Sequence, residues 1–180
     1  MTRDDLEFDA YYSYFLERMN YRLLTRIDKL ITMLLIVLGF SVFAPYSNIF
    51  FFGVSVAILS VLQLVYHFGQ EAGLSKEQMR QYKRLLIEMS DLSNEELRSR
   101  YTKIQDADSN PWQSLEEAAF IRASIVTGRK SGTKLSFCHR IIAWIAGDLP
   151  IEKESKMAKP PVDGHIPPRP RPPAPPKAQN

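Results

Sequence analysis

Between Lys29 and Glu71 the chain has no Asp, Glu, Lys or Arg. Two apolar stretches, residues 30–44 and 49–66, lie on either side of Pro45-Tyr46-Ser47-Asn48. Each approaches the roughly 20 residues a helix needs to cross the hydrocarbon core of a bilayer. Helices joined by so short a turn run antiparallel. The pattern therefore predicts an all-α membrane protein with a two-helix transmembrane hairpin, at about 30–46 and 49–68. A hairpin buried inside a soluble protein would also be apolar all round. It would need a large surrounding shell, and the rest of this chain is charged or Pro-rich. A secretory signal is a poor fit, because Asp4, Asp5, Glu7, Asp9, Glu17 and Asp28 precede the apolar run and no small-residue cleavage site follows it.

Charge sets the expected orientation. Arg18, Arg22, Arg26 and Lys29 precede the first stretch, and Lys76, Arg80, Lys83 and Arg84 follow the second. The turn between them is uncharged, so the positive-inside rule predicts a multi-pass protein of the cell membrane with both termini cytoplasmic. The net charge of +3 is too small to indicate a nucleic-acid partner. A single cysteine, Cys138, excludes an internal disulfide framework, as suits a reducing compartment.

Residues 1–29 read as an amphipathic helix. Phe8, Tyr12, Phe15, Met19, Leu23, Ile27 and Leu30 recur every three or four residues and run unbroken into the first span. Arg18, Arg22 and Arg26, with Lys29, suit lipid phosphates if this helix lies in the interface. They suit equally a cytoplasmic extension of the span that packs on later helices.

Residues 69–148 read as a cytoplasmic helical region. Ser75 with Gln78, Ser93 with Glu96 and Ser114 with Glu117 each have the spacing of a capping box. The runs behind them place Met79, Tyr82, Leu85, Leu86, Met89 and Leu92, then Leu97, Tyr101 and Ile104, on buried faces. The third places Leu115, Ala118, Ala119, Ile121, Ala123, Ile125 and Val126 inward, with Gly128 as its cap. After a basic linker at 129–134, Leu135, Cys138, Ile141, Ile142 and Ile145 share a face beside Trp144. That run is a second interfacial helix or a core helix of the bundle, with Trp144 and its basic neighbours favouring the interface. Residues 149–180 form a Pro-rich tail, expected to be disordered or extended.

The chain shows no metal-ligand spacing, phosphate loop, dinucleotide fingerprint or nucleophile elbow. No enzymatic role and no cofactor is expected. Within the second span, Ser60, Gln63 and His67 lie on one helical stripe, and Gly53 and Ala57 have close-packing spacing. Polar groups on a span should face protein or water, so the stripe is hydrogen-bonding contact between the two spans or the lining of an oligomeric pore. In the tail, Arg169, Pro172 and Pro175 match R-x-x-P-x-x-P, and Lys177 completes a second Pro-rich peptide motif.

Residues 94–128 carry Glu95-Glu96-Leu97, a polar loop with Pro111, then Leu115-Glu-Glu-Ala-Ala-Phe-Ile-Arg-Ala-Ser and Gly128. With the upstream hairpin, this resembles the SLATT group of two-transmembrane effector domains over roughly residues 15–145. Ile121 stands before Arg122 where the family usually has Asn, and the tail lies outside the family pattern. The resemblance implies a prokaryotic, homo-oligomeric membrane effector that a nucleotide-signal or sensor partner triggers to permeabilise the bilayer in a defence or cell-suicide response. The residues also fit two alternatives, a phage-type holin or superinfection-exclusion protein and a membrane-tethered adaptor acting through its tail.

Overall fold

The computed structural model describes residues 2–41, 49–106, 110–129 and 136–148, and all regular structure among them is helical. The Pro45 turn, Leu135 and the Pro-rich motif of Arg169, Pro172, Pro175 and Lys177 lie outside the described residues. The elements are α1 (Arg3–Ser41), α2 (Ile49–Tyr66), α3 (Phe68–Glu88), α4 (Asn94–Gln105), α5 (Glu116–Val126) and α6 (Phe137–Ile145). Short 3-10 turns precede α4 and α5 at Met89–Asp91 and Gln113–Leu115.

At 39 residues, α1 is about 58 Å long and forms the spine of the molecule. The sequence predicts one apolar stripe on it, but the structure buries two sides. Phe8, Phe15, Leu16, Met19 and Leu23 pack against Leu115, Ala118, Ala119 and Ala123 of the α5 region and Ala143 and Ala146 at α6. Leu6 and Ala10 face Tyr82, Leu85 and Met89 of the α3 region and Leu97 and Tyr101 of α4. Each large apolar side chain fully withdrawn from water contributes about 1.5–3 kcal/mol. The alanines of α5 and α6 let those helices approach α1 closely. Of the predicted stripe, Tyr12 and Ile27 are only partly buried and Leu30 is exposed.

Named contacts set α1 and α3 antiparallel. The Arg3 guanidinium donates to the carbonyls of Met89 (2.6 Å) and Leu92 (3.1 Å) and to Asn94 Oδ1 (3.0 Å). It thereby supplies donors and positive charge where a helix ends in unpaired carbonyls. Midway, Asn20 Nδ2 donates to Ser75 Oγ at 2.8 Å inside the core, and Asn20 Oδ1 accepts the Trp112 amide at 3.4 Å. At the far end Gly69 lies against the Asp28 carboxylate.

The capping-box spacing holds once in three. Ser93 and Glu96 form the reciprocal bonds at the start of α4. Ser75 starts nothing: it is buried within α3, which begins at Phe68, and its hydroxyl binds Asn20. Ser114 lies in a 3-10 turn with no side-chain cap, and Glu117 meets His139 Nδ1 at 2.7 Å instead. Gly128 takes φ +70 after α5, as a left-handed helix stop requires. On α6 the predicted inner face is rotated. Ala143 is buried, Ile142 and Ile145 are partly buried, and Cys138 and Ile141 are exposed.

Candidate membrane site

From Leu30 onward α1 changes character. Ile31 is buried, but Leu30, Met33, Leu34, Ile36, Val37 and Phe40 are exposed. On α2, Phe50, Phe51, Val61, Leu64 and Val65 are exposed, and Leu64 is 70 % accessible. Aliphatic and aromatic side chains this open on two elements form an apolar surface far beyond scattered exposed residues. Among the described residues one helical run, Phe50–Asp91, is long and apolar enough to cross a membrane, and none of its most apolar window is buried. The described apolar part of α1, residues 30–41, adjoins it through a cluster of Leu24, Ile31, Phe68 and Ala72, with Leu35 and Leu59 at its edge.

The run breaks where its chemistry changes. His67 separates α2 from α3 with φ +43 and ψ +43, a left-handed conformation that costs a non-glycine residue about 1–2 kcal/mol. Its amide still donates to Gln63 O (3.2 Å), and its own carbonyl accepts from Gln70 (2.8 Å) and Glu71 (3.1 Å). Tyr66 stacks on Phe68 across the break, with centroids 5.3 Å apart. The apolar helix thus ends within one residue of the first helix of the charged body.

Gly53, Ala57 and Ser60 are exposed, Gln63 is half-buried and His67 is exposed. A Cβ built on Gly53 would meet nothing within 4 Å. Leu59, one helical turn before Gln63, makes the contact with the α1 cluster. Gly53, Ala57, Ser60 and His67 therefore face outward, away from the packing of α2 on α1, and half-buried Gln63 borders that packing.

The arginines proposed from sequence as phosphate anchors have protein partners. Arg22 donates to Gly147 O at 3.1 Å, and Arg26 donates to Ile145 O. Arg18 pairs with Asp148 at 3.7 Å, and Arg122 of α5 holds the same carboxylate at 3.1 Å. The cause lies in α6, which has no basic residue in its last turn. Its unpaired carbonyls and negative dipole end are satisfied from α1. Gly147 turns the chain with φ +72, and a Cβ there would lie 3.0 Å from an Arg26 nitrogen. Arg18 and Arg22 are half-buried, Arg26 is exposed despite its bond, and Lys29 is exposed at the start of the apolar surface. Sequence reasoning missed Gly147 and Asp148, whose only local sign is a Gly-Asp pair after an apolar run.

The described residues hold no group of His, Cys, Asp or Glu arranged for a metal ion. Compared with protein-family models, curated proteins and solved structures, the chain matches none.

Proposed function

We propose that this protein is a prokaryotic membrane effector whose copies associate in the bilayer and make it leak ions. In this reading α1 beyond Lys29 and α2 span the membrane as an antiparallel hairpin. The body of α3 to α6, packed on the first part of α1, lies in the cytoplasm with both termini. One observation carries the reading: a largely exposed apolar surface emerges from a packed, charged helical body and carries the polar side chains of Ser60, Gln63 and His67 along one helix. In lipid, Leu64 and Phe50 need no protein cover, whereas Ser60 and Gln63 need a polar partner. A second copy supplies one. Gly53 and Ala57 let the helices approach, and Ser60, Gln63 and His67 then line the contact or its lumen. The body receives the trigger, from a sensor protein or a nucleotide signal, in a defence or cell-suicide response.

Controlled expression in bacteria with a potential-sensitive dye tests this. The expected result is depolarisation that rises with expression and that Ser60→Leu with Gln63→Leu reduces at equal membrane abundance. Unchanged potential at high expression, with the neighbouring genes present or absent, contradicts it. A holin would also release a muralytic enzyme, which an ion-conducting effector need not do.

A further inference from the structure

The inward side of α6 explains why the helix docks on α1, and its outward side is left without a role. Phe137, Ile141 and Trp144 recur at i, i+4 and i+7, so they share one stripe. Phe137 is 74 % exposed, Trp144 is 69 % exposed and Ile141 is also open. Arg140 is exposed beside them. Nine residues are too few for a helix to hold itself in water, so α6 keeps its shape through the contacts that fix its position.

Those contacts place α6 against the apolar surface. Arg26, which grips Ile145 O, lies one turn of α1 before Leu30, about 6 Å along the axis. One headgroup layer is roughly 5–8 Å thick. Trp144 precedes the gripped carbonyl by one residue, which sets it at the depth where tryptophan concentrates at membrane surfaces. Trp112, the other tryptophan of the chain, is tied through its amide to Asn20. Asn20 lies ten residues before Leu30, roughly 15 Å further into the cytoplasm.

We infer that the outward stripe of α6 is a membrane foot: Phe137, Ile141 and Trp144 enter the headgroup layer beside the hairpin, and Arg140 meets lipid phosphate. The inference rests on the transmembrane placement of the apolar helices and adds a second, peripheral lipid contact. Its occupant is anionic lipid, because the Arg26 bond to Ile145 holds the end of α6 about one helical turn of α1 from the apolar surface and the exposed neighbour of the stripe, Arg140, is a cation. The arginine grip makes the foot a lever: any movement of α6 on the bilayer pulls on α1 one turn before the span.

Both tryptophans make the test direct. The full chain is reconstituted in phosphatidylcholine vesicles containing phosphatidylglycerol. Trp112→Phe leaves Trp144 as sole reporter, and Trp144→Phe leaves Trp112. Lipids spin-labelled near the headgroup should quench Trp144 more strongly than lipids labelled near the chain end. Trp144 emission should shift to the blue relative to the same protein in detergent, and Trp112 should be quenched by neither lipid. Equal, weak quenching of both reporters overturns the foot. Strong chain-end quenching of Trp144 also overturns it, because α6 would then be inserted rather than interfacial. Alkaline carbonate extraction separates the two claims. Protein released by carbonate contradicts the spanning hairpin, whereas protein retained with an unquenched Trp144 contradicts the foot alone.

Discussion

At the scale of single residues, the clearest dependence falls on Asp148, whose side chain is buried between Arg18 and Arg122. Asp148→Ala leaves two arginines crowded without their shared acceptor. Both arginines are partly open to water, which reduces the cost to about 2 kcal/mol. Urea unfolding of the protein in detergent should show that loss, and Asp148→Glu should recover part of it. A second dependence concerns pH. Hydrogen bonds from the Thr2 hydroxyl and amide, then from Arg129, hold the Asp5 carboxyl down at about 2. A depressed carboxyl stabilises the fold above its unfolded value and loses that contribution as pH falls through its folded value. The tie between the start of α1 and Arg129 should therefore loosen between about pH 4 and pH 2, read as faster amide exchange at Leu6. Burial raises Asp9 instead, with Asp5 adding to the shift. Its contribution has the opposite sign and fades as pH rises, so Asp9→Asn should raise stability at neutral pH. Little of this was legible in the sequence. Periodicity marks which side chains turn inward on their own helix but cannot pair Arg22 with Gly147, on the far side of a linker.

At the scale of elements, α4 was readable because its start is written locally: the Ser93 oxygen and the Glu96 carboxylate exchange bonds across three residues. Ser93→Ala should cost about 1 kcal/mol. The same spacing misled at Ser75 because a serine inside a helix can bind across the core, and Asn20 provides that alternative. The faces of α3, α4 and most of α5 followed their apolar period: Tyr82, Leu85, Leu97, Ala118 and Ala119 are buried as predicted, but Ile121 and Ile125 are only partly buried and Val126, at the end of α5, is exposed. On α6 the period pointed to Cys138 and Ile141, whereas close approach to α1 selected the small Ala143 and Ala146. Core truncation should follow the usual scale, with Leu97→Ala costing about 2–5 kcal/mol. The exposed stripe of α2 should behave in the reverse way. Gly53→Leu and Ala57→Leu introduce side chains into open space, so stability should hold or rise slightly. Cross-linked oligomers in the membrane should decrease, and unchanged cross-linking would exclude this stripe as the contact between copies.

For the whole molecule, hydropathy alone marked where the charged body ends and the apolar surface begins, and the break at His67 falls on that line. The sequence could not show that residues 3–29 belong to the body rather than to the lipid surface. That choice depends on partners more than fifty residues away, such as Ser75 for Asn20 and Gly147 for Arg22. Once those partners are placed, one continuous helix, α1, joins the packed body directly to the apolar surface, and under the proposed function a trigger felt by the body would reach that surface without a hinge. The central claim is that the assembled hairpins conduct ions. Purified protein reconstituted at graded density into vesicles holding a potassium gradient and a potential-sensitive dye tests it most directly. The account predicts loss of the potential that steepens more than linearly with protein per vesicle and is reduced by Gly53→Leu. Vesicles that keep their potential at every density, with carbonate-resistant protein in their membranes, would contradict it.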